Sequence, residues 1–180
     1  MKAVLAGVIL LAAQQDMRAD YDAFAAALAA APTATGALQR WCEAHGIADK
    51  VVAEVDREAE KNPSAATYFR LKVQPGEHVA YRRVKLGCGG HVLSEADNWY
   101  VPARLTPAMN EALESGDTPF GAVIAPLTPH RQAISSDRLW ADGDAPEDIL
   151  RNRGLVIDRD GRPLAEVTET YKRSALELGR

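Results

Sequence analysis

Cysteine is scarce. The 180 residues hold two, Cys42 and Cys88, too few and too far apart for a disulfide framework or a zinc site. A single Cys42–Cys88 bridge is open only to an exported protein. The composition favours two small buried thiols instead. Long apolar runs are missing as well. The stretch Ala3–Ala13 (AVLAGVILLAA) follows Met1-Lys2, ends at Gln14-Gln15-Asp16, and is too short to span a bilayer. One positive charge, a short apolar core and a polar break fit a secretory leader over residues 1–15, with 16–180 as one domain. The alternative is a first helix or strand packed on the core. A cleaved leader implies a periplasmic or secreted protein, and an uncleaved one a cytoplasmic protein.

Charge of a single sign is lacking too. Net charge is -4, the pI is near 5.6, and no basic cluster exceeds Arg82-Arg83. That argues against nucleic acid as a partner. None of His45, His78, His91 and His130 lies three or four residues from another, which excludes a helical metal pair, and no metal is expected. There is no GxSxG elbow and no CxxC. Gly87-Cys88-Gly89-Gly90 lacks the Lys-Ser/Thr of a phosphate loop and reads as a turn. Asp142, Asp144 and Asp148 lack the glycine and glutamate of a calcium loop. Ser135-Ser136-Asp137 near His130 imitates a hydrolase without an oxyanion device.

What is present is a 47% hydrophobic chain that can build a core. Asp16–Ala31, with Tyr21, Phe24 and Leu28 at helical spacing, reads as an amphipathic helix ended by Pro32. Thr33 or Thr35 can cap a second helix over Gly36–Ala44, with Gly46 as its stop. The period then changes. Lys50–Arg57, Tyr68–Val73, Val79–Cys88 and His91–Val101 read as strands, the last two joined through Gly89-Gly90. Thr106-Pro107 starts a helix over Ala108–Glu114, and Thr118-Pro119 repeats the signal before Phe120. Arg131–Trp140 is a further strand. Asn152–Arg159 and Arg162–Arg173 form a hairpin through Asp160-Gly161. Helices first and hairpins later give an α+β fold with an antiparallel sheet.

Two places carry chemistry. In the last strand Ala165, Val167, Glu169 and Tyr171 share a face, with Leu164, Glu166, Thr168 and Thr170 on the other. Glu169 on an apolar face needs a partner or shifts its pKa upward, which suits hydrogen bonding to a ligand hydroxyl or proton transfer. Reversed faces would leave it in solvent. In Tyr81-Arg82-Arg83-Val84-Lys85 the two arginines point to opposite faces. One pointing inward would suit a carboxylate, while both reaching solvent is the commoner arrangement.

With these residues in view, the chain resembles the chorismate lyase family, from about Thr33 to Tyr171. The resemblance rests on Arg83-Val84-Lys85-Leu86-Gly87-Cys88 with the returning Tyr100-Val101-Pro102, on Asp117-Thr118-Pro119-Phe120-Gly121, and on Gly161-Arg162-Pro163-Leu164 leading to Thr168-Glu169. It implies one antiparallel sheet of about six strands with helices on one side, enclosing the ligand beneath helical flaps. It implies that Arg83 and Glu169 are the catalytic pair. Arg83 would bind the ring carboxylate with help from Phe120 and Gly121, and Glu169 would meet the 4-hydroxyl. The reaction would eliminate pyruvate from chorismate to give 4-hydroxybenzoate, without a cofactor. The family has an arginine in the return strand where this chain has Asn98, which donates hydrogen bonds without charge, so a dicarboxylate is expected to bind less well. The alternative is an exported, non-catalytic binding protein for a small aromatic carboxylate on the same scaffold, which ligand-sensing UTRA-like domains of bacterial regulators share. A monomer is expected. No helix-turn-helix segment precedes the domain, so a DNA-binding regulator is not expected.

Overall fold

The computed structural model describes residues 2–47 and 49–178, with side chains from residue 15 onward. The alanine-rich N-terminal region forms a helix, α1 (Lys2–Ala30), whose Tyr21, Phe24 and Leu28 are buried at the expected spacing. The leader expected over residues 1–15 falls largely on side chains outside the described residues. No helix among the described residues is long and apolar enough to cross a membrane. Pro32 interrupts the chain before α2 (Ala34–Ala44), which Thr33 caps by accepting from the Gly36 amide.

Strand β1 (Val52–Asp56) follows, and then a difference from expectation. Tyr68–Val73 is not a strand; most of it belongs to a helix, α3 (Ala65–Leu71). Ser64 caps α3 by accepting from the Thr67 amide, and Ala65-Ala66 supply the first turn. The capping residue outweighs the aromatic strand propensity of Tyr68-Phe69, both of which stay exposed.

The remaining elements are β2 (Ala80–Cys88), β3 (His91–Tyr100), α4 (Pro107–Ser115), α5 (Phe120–Val123), β4 (His130–Arg138), β5 (Asp148–Ile157) and β6 (Pro163–Lys172). The described residues form one six-stranded sheet in the order β1-β2-β3-β6-β5-β4, each pair antiparallel. Strands β3 and β6 are therefore central, and β4 is an edge.

Helices α1, α2, α4 and α5 pack on one face. There Phe24 and Leu28 meet Val84, Leu86, Ala96 and Tyr171, and Met109, Leu113 and Phe120 meet Tyr100 and Val167. Helix α3 covers part of the opposite face over Leu155 and Val101. That cover explains Glu166, which lies on the face expected to be solvated. It is fully buried and held by Arg70 (2.8 and 2.7 Å) and Arg153 (3.0 Å).

Cys42 and Cys88 are joined in a disulfide, which corrects the reading of two free buried thiols. The reason lies in the packing. The Leu38-Cys42 stripe of α2 lies over the face of β2 on which Val84, Leu86 and Cys88 alternate, so two apolar surfaces bring the sulfurs together. The bridge ties the C-terminal half of α2 to the end of β2.

Candidate functional site

Between the helices and the sheet lies a cavity of about 40 Å³. Its floor comes from Val84 and Leu86 of β2, Ala96 and Asn98 of β3, and Val167 and Glu169 of β6. Its roof is Pro32 and Thr33 of the α1–α2 connection with Ala34 and Thr35 of the first turn of α2, and Phe120 and Gly121 of α5 lie at the side. Gly121 packs closely there: a Cβ would lie 3.0 Å from the Thr35 hydroxyl oxygen, so a larger residue needs the Thr35 side chain to give way. The volume is enough for about three waters and too small for an aromatic ring, so a ring-sized ligand enters only if the roof yields.

Glu169 sits on the inner face of β6, 7% exposed. Its Oε2 accepts from Arg131 Nη1 at 2.7 Å and from the Tyr171 hydroxyl at 2.9 Å. Burial pushes the Glu169 carboxyl above its ordinary range, against the pull of Arg131 and Tyr171. Burial also pushes the Tyr171 hydroxyl well up, and the adjacent Glu169 charge adds to it. Burial works against the Arg131 charge, yet Glu169 and Tyr171 outweigh it and hold the Arg131 pKa above the usual arginine value. The pair is neutral overall and shielded from solvent.

Arg131 was not foreseen. It belongs to the edge strand β4, two strands from Glu169. It reaches across β5 because Gly154 leaves a notch: a Cβ at Gly154 would stand 2.9 Å from both Cγ and Cδ of Arg131. A glycine inside a strand pattern signals such a close approach, and Gly154 in Asn152-Arg153-Gly154-Leu155 was that signal.

The two arginines of β2 divide as their alternation requires, and Arg83, expected to bind the ring carboxylate, does not line the cavity. Arg83 points to the opposite face, where it pairs with Glu95 (3.1 Å) and Asp97 (3.4 Å). Arg82 points inward, on the face of Val84, Leu86 and Cys88, and is 5% exposed. The apolar alternation Val84-Leu86-Cys88 already places Arg82 on the inner face; transfer of the family's strand onto Arg83 overrode it. Arg82 pairs in register with Asn98, whose Nδ2 donates to the Arg82 carbonyl at 3.3 Å. Arg82 Nη2 donates to the carbonyls of Gly116 (3.2 Å) and Thr118 (3.1 Å). Its Nε and Nη1 are buried with no partner among the described residues. Burial pulls the Arg82 pKa down. Arg82 does not itself line the cavity, although its strand neighbour Val84 and its register partner Asn98 do. A buried, half-satisfied guanidinium is costly unless an anion completes it.

The cavity thus gathers Glu169, Asn98, Phe120 and Gly121 with Arg131; Tyr171 bonds Glu169 from outside the lining, and Arg82 lies on the same face of the sheet, also outside it. The cavity holds the Arg131–Glu169 ion pair, and the partly unpartnered Arg82 stands on the inner face opposite Asn98 in the β2–β3 register. Among the described residues no group of three or more His, Cys, Asp or Glu is gathered to hold a metal ion.

No family model matches the chain. It is 36% identical to the uncharacterised protein y4mC of Sinorhizobium fredii, over 81% of this chain and 70% of that protein. Among solved structures it is similar to PhnF from Mycobacterium smegmatis, with a TM-score of 0.57 and 15% identity. That match covers 78% of this chain and 63% of PhnF, so the chain spans less than two thirds of the PhnF length. The effector domain of PhnF alone gives a TM-score of 0.58 at 14% identity, covering 78% of this chain and 88% of that domain. These likenesses establish the fold: the six-stranded antiparallel sheet with helices common to UTRA effector domains and chorismate lyase.

Proposed function

The chain belongs to the family of the Sinorhizobium fredii protein y4mC, and from that premise we propose that it binds a small aromatic carboxylate bearing a hydroxyl opposite the acid group. The charge balance of the cavity carries this reading. Arg131 is already neutralised by Glu169. Arg82, on the inner face next to the cavity-lining Asn98, has buried N–H groups without a partner among the described residues, so a ligand that widens the cavity towards it is expected to bring one negative charge. Glu169 uses Oε2 for both of its internal bonds, leaving Oε1 to accept from a ligand hydroxyl. The apolar floor between them suits a ring. PhnF, by its description, has an effector domain, and a binding role here parallels that.

The lyase reading has one observation in its favour: a buried carboxylate and an arginine, Glu169 and Arg131, meet in the cavity. Chorismate, however, carries two carboxylates. With Asn98 in the return strand, the second would have to draw Arg131 away from Glu169. A single uncompensated cation therefore favours a monocarboxylate and binding without turnover.

We also propose export. The leader-like Met1–Asp16 segment supports it, and so does the disulfide between Cys42 and Cys88, since such bonds persist in oxidising compartments. The intact mass of the native protein tests it: loss of about 15 N-terminal residues is the expected result, and a full-length mass refutes it.

Incubation of the purified protein with chorismate, followed by mass spectrometry for pyruvate and 4-hydroxybenzoate, decides between binding and lyase chemistry. No turnover above the spontaneous rate, together with thermal stabilisation by 4-hydroxybenzoate, is the expected result. Turnover abolished in Glu169→Gln would establish the lyase instead.

A further inference from the structure

Both groups that bond Glu169 also hold α1. Arg131 gives Nη1 to the carboxylate and Nη2 to the Leu28 carbonyl, at 2.9 Å. That carbonyl lies in the last turn of α1, among those a helix leaves without an internal partner. Tyr171 gives its hydroxyl to the carboxylate and stands edge-on to the Phe24 ring of α1, centroids 5.5 Å apart. Phe24, Leu28 and Tyr171 are fully buried, and the Arg131 and Glu169 side chains are only 13% and 9% exposed, so solvent and salt screen little of this link.

The cavity roof completes the arrangement. Pro32–Thr35 runs from just after the end of α1 into the first turn of α2. The far half of α2 is fixed to β2 by the Cys42–Cys88 bridge. When a ring-sized molecule needs more than the 40 Å³ present, the end free to give way is the last turn of α1.

We propose that Arg131 and Tyr171 act as positioning residues that couple the cavity to α1, so that occupancy at Glu169 releases the last turn of the helix. This rests on the cavity being the ligand site. The coupling is reciprocal: loosening α1 favours occupancy to the same degree that occupancy loosens α1. A ligand hydroxyl on Oε1 draws charge from Oε2 and weakens both bonds to it, while the ring lifts the roof. Release of this turn then carries the state of the cavity into α1.

Amide hydrogen exchange on the full chain, read over Phe24–Ala30, tests this. Glu169→Gln removes the charge, and Tyr171→Phe removes the hydroxyl while keeping the ring against Phe24. Without ligand, each variant should speed exchange in this turn by roughly tenfold, the effect of losing one charge-assisted hydrogen bond. Unchanged exchange in the β2–β3 hairpin shows that the variants remain folded. Unchanged exchange of Phe24–Ala30 in both variants overturns the coupling. In the wild type, 4-hydroxybenzoate should also speed this turn. If it slows β2, β3 and β6 around the cavity but leaves α1 as it was, the coupling is refuted though the ligand reading holds. If it changes no amide while the variants loosen α1, the ligand reading fails and the coupling stands.

Discussion

Breaking the Cys42–Cys88 bond should cost about 4 kcal/mol of folding stability. The two cysteines are 46 residues apart. Closing a loop of that length in the unfolded chain removes roughly 13 cal/mol/K of entropy, or about 4 kcal/mol near room temperature. Little should offset this in the folded state. Both sulfurs are buried, Cys42 at 0% and Cys88 at 2% exposure, among apolar side chains that accept a thiol as readily as a disulfide. For a chain of this size the loss corresponds to a fall in Tm of about 8–16 °C. Urea denaturation of the oxidised protein, of the same protein in dithiothreitol, and of the Cys42→Ala/Cys88→Ala double variant measures it. The reduced protein and the double variant should shift together. A shift under about 1 kcal/mol, or two reactive thiols in the denatured, unreduced protein, would refute the reasoning.

Other outcomes follow from single side chains. Gly154→Ala places a methyl against Arg131 and should separate it from Glu169; a loss of about 1–3 kcal/mol in stability and a weaker response to 4-hydroxybenzoate are expected, by denaturation and calorimetry. Glu77 is held by Arg104 with its carboxyl lowered from 4.5 to about 2, first by that side-chain hydrogen bond. A lowered folded-state pKa means the stabilisation is complete above pH 4.5 and is lost as pH falls towards 2; urea midpoints between pH 6 and pH 2 should show this in the wild type and lose that part in Glu77→Gln. Thr128 is a β-branched residue at φ 50, in the left-handed region. Thr128→Asn should raise stability by about 1 kcal/mol, and a drop in Tm would show that the hydroxyl outweighs the strain.

Most of the sheet was legible because its strands alternate and its turns are marked. Asp160-Gly161 and Gly89-Gly90 placed two hairpins, and Thr33 and Thr106 placed two helix starts. Alternation set Glu169 on one face with Ala165, Val167 and Tyr171 but left open which face was inward; the helices packed on that face decide it. Alternation would also have chosen Arg82, since it shares parity with Val84 and Leu86; family spacing pointed to Arg83 and overrode the local physics. Arg131 was hidden because its partner lies two strands away, and only topology brings an edge strand to Glu169. Glu166 looked solvated because nothing in a strand pattern shows that a helix from another segment, α3, will cover it. The disulfide needed the α2 stripe and the β2 face to be recognised as partners, a long-range contact that two isolated cysteines do not reveal.

Calorimetric titration with 4-hydroxybenzoate, comparing wild type, Arg82→Met and Arg83→Met, tests the central claim most directly. Binding in the wild type that falls at least about tenfold in Arg82→Met and is unaltered in Arg83→Met is the predicted result, since the inward arginine alone would meet the carboxylate. Equal affinity in all three, or a loss confined to Arg83→Met, would contradict it.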